Sequence, residues 1–452
     1  MSSAEDLARL DAIEKALLNR WPESRIAPTL ERISSLADYL GSPQLSYPTI
    51  HIAGTNGKTT TTRLIDSLCF ELGMRTGRFT SPHLESFLER ITVNGQSITP
   101  EFMIATYNDI APYLELVDSK MSNKLSFFES MCALAFVAFA EFPVDVGIFE
   151  CGMGGEWDST NVINGSVNVI TPIGLDHMEY LGDTLEKIAQ TKSGIIKENS
   201  FVVLAEQESD VAAVLMRACA KADATPIRSG IEFSLKSRAL ALGGQMLTIS
   251  GVYGQYEDLY LPLYGQHQAS NAATALAAVE VFAGETKLDE EIVRQAFAKA
   301  SSPGRCEIVG RNPTIIIDAA HNPHGAESLK KTISEEFDFS ALIGVIAPMG
   351  DKDVTGILEA LEPVLDRVIV TRNSSHRAAD VDELKSEAME IFGSDRVYVS
   401  DDLEQGITQA VEMARTSNAL NDSSTAVLIA GSVVSAGEAR AIIRRKGNQI
   451  LR

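Results

Sequence analysis

The segment Gly54-Thr55-Asn56-Gly57-Lys58-Thr59-Thr60 constrains the fold more than any other part of the chain. It follows a short apolar run, Ile50-His51-Ile52-Ala53, and opens a helix-like stretch at 61–72. Strand, glycine loop and helix in that order make a phosphate-binding loop. Glycines let backbone amides turn toward phosphate oxygens, the helix N-terminus adds a positive end, and the lysine reaches the outer phosphates. The match to G-x-x-x-x-G-K-[ST] lacks its first glycine, because Ile52 stands there. An ordinary glycine-rich turn between strand and helix is the bland alternative; the lysine and the threonines after it favour phosphate.

The same rhythm runs through the chain. Thr49–Ala53, 144–149, 167–173 and Phe201–Leu204 are short, apolar and β-branched, with helical patterns such as 61–72 and 127–142 between them. That alternation predicts βαβ units and a mainly parallel sheet. The stretch 239–264 breaks it and reads as short antiparallel strands, followed by helical patterns at 268–282 and 289–300. Ser301-Ser302-Pro303-Gly304 is a cluster of breakers and reads as a linker. Beyond it, strands are expected at Thr314–Ile317, 342–346, Arg367–Val370, 396–399 and 426–429. The expected fold class is α/β. An N-terminal P-loop ATPase-type domain (1–300) carries the small antiparallel segment, and a C-terminal Rossmann-like α/β domain (305–452) follows the linker 301–304.

Composition limits what such a chain does. Lys and Arg number 39 against 61 Asp and Glu, for a net charge of −22. A field of that sign repels polyanions at long range, so nucleic acid is not an expected partner. Anionic small molecules need pockets made of local cations, amides or metal ions. The longest apolar run, 131–140, is half of the roughly 20 residues a spanning helix needs. No signal peptide is visible and no membrane partner is expected, so the chain reads as cytoplasmic. The five cysteines show no C-x-x-C spacing and read as buried thiols.

Other residues draw attention by position. Glu150 ends the strand Gly147-Ile148-Phe149-Glu150 beside a glycine turn, where α/β sheets bind ligands. Ser81 and His177 follow two further predicted strands, so all three can converge on one sheet edge. From chemistry alone His177 is a base or a core histidine. Lys192 reads as a cation near a helix C-terminus, with Asp183 and Glu186 as a D-x-x-E capping box. Ser126-Phe127-Phe128-Glu129 fits a capping box at the start of an apolar helix, and Asn322-Pro323 an N-cap with its first helical residue.

Gly54-Thr55-Asn56-Gly57-Lys58, Thr80-Ser81-Pro82-His83-Leu84, Glu89-Arg90-Ile91, Asp176-His177 and Asp318-Ala319-Ala320-His321-Asn322-Pro323 occur in this order. Together they resemble folylpolyglutamate synthase and dihydrofolate synthase, in the superfamily of the peptidoglycan (Mur) amino-acid ligases, from about residue 25 to about residue 440. The resemblance implies ATP-dependent addition of L-glutamate to dihydropteroate, folate or both, through an acyl phosphate. It implies ATP and two magnesium ions as cofactors, held by Ser81, Glu150, His177 and a carbamylated Lys192. Nucleotide contacts are implied for Gly54 to Thr60, Asn271, Arg305 and Asp318, with Lys58, Lys192 and His321 in catalysis. His321 and Ser432 would approach the incoming glutamate; Ser126, Phe127, Phe128, Glu129, Trp157, Asp158 and Ser159 would line the pteroate pocket. The partners are then small-molecule substrates, and a monomer is expected.

Three positions depart from the family pattern. Thr59 stands where the folate branch has glycine, Glu156 where it has arginine, and Thr191-Lys192-Ser193 where it has Glu-Lys-Ala. Thr59 favours a peptidoglycan ligase slightly, while Ser81-Pro82-His83-Leu84 and the hairpin through Asn94-Gly95 favour the folate branch. A P-loop nucleotide switch is the distant alternative, and the chain has no N-K-x-D motif for it.

Overall fold

Strands whose two faces are both covered are largely apolar, and the central strands here are buried along their whole length. The computed structural model describes residues 4–21, 27–421 and 424–450. The chain divides into two units.

The first unit comprises Met1–Ala241, Gln245–Pro262 and Gln268–Ala300. Its main sheet has eight strands: β1 (Thr49–Ala53), β2 (Thr76–Phe79), β3 (Ile91–Val93), β4 (Gln96–Ser97), β5 (Val146–Glu150), β6 (Gly165–Ile170), β7 (Phe201–Leu204) and β8 (Thr225–Arg228). Their order is β4-β3-β2-β5-β1-β6-β7-β8. All neighbours are parallel except the β2–β3 and β3–β4 pairs. The C-terminal ends of β2, β5, β1 and β6 therefore lie side by side on one edge. The stretch expected to be antiparallel forms a three-stranded sheet of β9 (Ser234–Ala241), β10 (Gly244–Ser250) and β11 (Gln255–Leu261).

Phe149 is the centre of an aromatic core on one face of the main sheet. Its ring lies 5.4 Å from Phe136, 5.5 Å from Phe139, 6.2 Å from Phe79 and 6.5 Å from Tyr47. Phe136 and Phe139 come from the helix Phe127–Glu141, which is apolar and buried on nearly every face.

The second unit comprises Leu242–Gly244, Leu263–His267 and Ser301–Arg452. Its sheet uses β12 (Glu307–Arg311), β13 (Thr314–Ile317), β14 (Ala341–Ile346), β15 (Arg367–Val370), β16 (Val397–Val399) and β17 (Thr425–Ala430), in the order β12-β13-β17-β14-β15-β16. Only β12 is antiparallel to its neighbour. Helices Pro323–Glu336, Val354–Leu361 and Val381–Phe392 share one core, and helix Leu403–Asn421 shares the opposite core with residues of Val433–Ile450. The chain thus changes faces where β17 inserts between β13 and β14, which opens a crevice at their C-terminal ends.

Two details differ from the sequence reading. The helix Leu185–Lys192 is capped by Thr184, whose hydroxyl accepts from Lys187 N, while Asp183 pairs with the Lys187 ammonium. The first polar residue of the D-x-x-E pattern sits one residue too early to cap. Strands β8 and β12 are not expected from the sequence, because Thr225-Pro226 and Val309-Gly310-Arg311 lack an apolar run. All five cysteines are free and buried, and among the described residues no helix is long and apolar enough to cross a membrane.

Phe149→Ala leaves a void under the strand that ends in Glu150. It is expected to lower the stability of the first unit by about 3–5 kcal/mol, measurable by chemical denaturation with near-UV circular dichroism.

Candidate active site

The loop Gly54 to Gly57 crosses from β1 to the helix Lys58–Glu71 on backbone that only glycine adopts easily. Gly57 is the left-handed N-cap at φ 85°, with no side-chain cap, so the first-turn amides remain suited to an anion. A Cβ on Gly54 (φ 149°) would lie 1.8 Å from Thr171 Oγ1, and one on Gly57 would lie 2.6 Å from Asn271 Oδ1. Asn271, placed with the nucleotide contacts from sequence, is thus packed directly on the loop. Thr55 and Asn56 amides donate to Pro172 O, at 3.0 and 3.3 Å, and the Thr55 hydroxyl to Gly174 O at 3.0 Å. Lys58 Nζ spans the loop, donating to Gly54 O and Thr55 O at 3.1 Å each. Thr60 is buried in the first turn.

Glu150 reaches the same place from β5. Thr59 Oγ1 donates to its Oε1 at 2.8 Å, and Ser81 N to its Oε2 at 3.4 Å. His177 lies on the loop after β6, at φ 51°, with its amide donating to Asp176 Oδ1 at 2.9 Å and Nε2 3.7 Å from Asp176 Oδ2. The sheet order therefore brings the loops of Ser81, Glu150 and His177 to one edge together with Lys58.

Lys192 is no surface cation. It is buried, and its Nζ donates to Gly54 O at 2.8 Å. Burial, then the neighbouring Lys58, pulls its pKa down to about 7, with Cys151, Asp176 and Asp158 opposing. The shift favours the neutral amine relative to an exposed lysine.

The aromatic side of the site is partly framework. Ser126 and Glu129 form the capping box, and the Glu129 carboxylate takes Arg32 Nε at 2.9 Å in a buried ion pair. Phe127 is buried beneath the Arg90 guanidinium, 4.8 Å from the ring centroid. Phe128 packs on Phe79 and over Gly152, where a Cβ would meet its ring at 2.7 Å. Trp157 lies against Gly154 and is partly exposed, while Asp158 and Ser159 are buried. Asp158 accepts from Met153 N and Thr160 N, and burial raises its pKa against these bonds.

The motif from Ser81 to Arg90 is held by contacts that its residue types alone do not announce. Glu89 collects the amides of Leu84, Glu85 and Ser86, and Arg90 Nε donates to His83 Nδ1 at 2.9 Å. Burial, then Arg90, lowers the His83 pKa to about 3, so that nitrogen is an acceptor. Thr171 and Pro172, which shape the phosphate loop, carried no sequence signal because their role depends on β6 lying beside β1.

In the second unit, Asp318 follows β13 and is buried. Its Oδ2 accepts from Cys306 N and its Oδ1 from Ala320 N, each at 2.7 Å, and burial raises its pKa while Arg305 lowers it. His321 Nδ1 donates to Ala319 O at 2.9 Å. Asn322 is the N-cap expected for it, accepting from Gly325 N. Ser432 is buried at the β17 end of the crevice, accepts from Ser435 N at 3.0 Å, and joins Asn373 and Ser435 around Ala347 O. That placement makes it an N-cap for helix Val433–Ile450.

Comparison with known proteins follows this division. Residues 52–279 match the Mur ligase middle domain and residues 304–433 the Mur ligase glutamate ligase domain. A dihydrofolate synthase/folylpolyglutamate synthase of Mycobacterium tuberculosis is 48% identical, over 98% of this chain and 95% of its own length. A structure of M. tuberculosis folylpolyglutamate synthase complexed with ADP and AMPPCP superposes with TM-score 0.93 at 49% identity, covering 97% of this chain and 98% of that one. An E. coli FolC in complex with DHPP and ADP gives TM-score 0.83 at 29% identity, with 97% and 98% covered.

A lysine with a folded pKa below its unfolded 10.5 binds fewer protons than the unfolded chain between about 7 and 10.5, so the stability it contributes rises with pH across that window. In buffer free of carbon dioxide, the stability of wild type relative to Lys192→Met is expected to increase as pH rises from roughly 7 to 10. A difference that is flat with pH contradicts an enclosed neutral amine.

Proposed function

The chain belongs to the dihydrofolate synthase/folylpolyglutamate synthase family of Mur ligases, and we propose that it joins L-glutamate to both dihydropteroate and reduced folates at the expense of ATP. The observation that carries this reading is the phosphate loop with Lys58 and Lys192 on its carbonyls and Thr59 bonded to Glu150, within a chain 48% identical to such an enzyme along almost its full length.

A carboxylate is a poor electrophile and has to be activated. The amides at the start of helix Lys58–Glu71 and Lys58 hold the β- and γ-phosphates while the substrate carboxylate attacks the γ-phosphorus in line; ADP leaves and an acyl phosphate remains. The amine of glutamate then attacks the acyl carbon and inorganic phosphate departs. His321 suits this second step, because its Nδ1–H bond to Ala319 O puts the lone pair of the neutral ring on Nε2. Arg305 and Asp318 are assigned to the nucleotide, Ser432 to the glutamate end, and Phe128 with the segment Trp157-Asp158-Ser159 to the pteridine side.

The donor set beside the phosphate loop fits magnesium. Glu150 and Thr59 present hard oxygens 2.8 Å apart, and this ion takes few protein groups alongside phosphate oxygens. Ser81, Glu150 and His177 would hold one ion and Lys192 a second, once its amine has added carbon dioxide and released a proton to become a carbamate. Bound there, the ions would neutralise charge on the phosphates.

Phosphate release from purified protein, with dihydropteroate, tetrahydrofolate or a muramyl peptide and with or without L-glutamate, tests the reading. Glutamate-dependent release with the two pteroates and none with the peptide is expected; the opposite pattern sinks it. Lys58→Ala is expected to lower this turnover about 100-fold or more with circular dichroism unchanged. Lys192→Arg keeps a cation but not an amine that forms a carbamate, and should lose most activity. Near-normal turnover by that variant at saturating ATP would refute a carbamate requirement.

A further inference from the structure

The strand that launches the phosphate loop carries a buried histidine that the reaction does not use. His51 lies in the middle of β1 with its Nε2 2.7 Å from Thr160 Oγ1 and 3.1 Å from Cys151 Sγ. Thr160 Oγ1 donates its only proton to Asp158 Oδ1, so the histidine must be the donor to Thr160, through Nε2–H. The lone pair then sits on Nδ1, which has no hydrogen-bond partner, and burial holds the ring neutral with a pKa of about 3. Asp158 passes the chain on by accepting from Met153 N and Thr160 N. His51, Thr160, Asp158 and Cys151 are all buried.

An apolar residue would satisfy the sheet at this position without a buried imidazole. The imidazole instead fixes a contact to a residue 109 positions away. The segment it gathers, 151–161, starts one residue after Glu150. Glu156 N donates to Thr191 O at 2.8 Å, and Gly155 lies so close that a Cβ would sit 2.7 Å from Lys192 O. Phe128 covers the same segment at Gly152. One loop therefore touches the strand end bearing Glu150, the backbone of Lys192 and the aromatic wall.

We propose that His51 is a positioning residue, which through Thr160 and Asp158 clamps the 151–161 segment to the phosphate-loop strand and so holds the pteroate substrate in register with the nucleotide. This rests on the assignment above of Trp157-Asp158-Ser159 to the pteridine side. The clamp acts on the organic substrate and leaves nucleotide affinity alone, because the phosphate loop keeps its own bonds to Pro172 and Gly174.

The test uses the full chain, with dihydropteroate varied at saturating ATP and glutamate and ADP affinity measured by calorimetry. Thr160→Val, which keeps the shape and removes the hydroxyl, and His51→Leu are each expected to raise the KM for dihydropteroate at least tenfold while the ADP Kd stays within twofold. His51→Gln keeps an amide donor near the Nε2 position and should recover most of the loss. The double variant His51→Leu/Thr160→Val should be no worse than the worse single one. Hydrogen exchange reads the same clamp without turnover: segment 151–161 should exchange at least tenfold faster in Thr160→Val, with β1 unchanged. Unaltered KM and exchange in folded Thr160→Val, an equal loss for ADP, or simple additivity of the two substitutions would overturn the clamp. Wild-type protein that fails to turn over dihydropteroate would instead overturn the assigned reaction, and exchange would still decide the clamp.

Discussion

Parallel backbone pairing of β1 with β5 on one side and β6 on the other supports everything else in the first unit. The register sets Ile52 opposite Glu150 and Ala53 opposite Ile170, and β2 joins with Phe79 opposite Phe149. Four strands thus end within a residue or so of each other, and the loops that follow them share one edge. Because side chains alternate faces along a strand, a slip of one residue in β5 would turn Glu150 away from Thr59. Full burial of both faces is what makes such a slip costly.

That edge also explains how a chain of net charge −22 is suited to a polyphosphate. Long-range attraction plays no part. Positive character is concentrated in backbone amides at an uncapped helix start and in Lys58 on the loop carbonyls. Enclosure acts in the opposite direction at Lys192, since a buried ammonium beside another cation gives up its proton more readily. The same enclosure that depresses Lys192 is the condition under which an amine reacts with carbon dioxide near neutral pH.

In the second unit the organising event is the insertion of β17 between β13 and β14, which reverses the direction of winding and opens a crevice. Asp318 and Ser432 flank it, yet both are largely committed to their own backbone. Asp318 braces Cys306 and Ala320, and Ser432 caps the last helix. Local order at these strand ends uses the same polar groups that the family resemblance assigns to ligands.

The sequence by itself determined the alternating architecture, the phosphate loop and most strands, because each rests on local pattern: apolar β-branched runs, glycines where φ is positive, a lysine at the helix start. It also announced the Ser126–Glu129 capping box and the Asn322 cap, since capping reaches only three or four residues along the chain. Tertiary structure decided the rest. Lys192 changed meaning once folded, from helix-end cation to buried amine, and Asp158 gained a second role as a loop brace; Thr184 and His51, which carry no local signal, became an N-cap and a hydrogen-bond donor. Their partners lie far away in sequence, from Gly54 to Lys192 and from His51 to Thr160. No local period encodes such a pairing; it exists only after β1, β5 and β6 lie side by side.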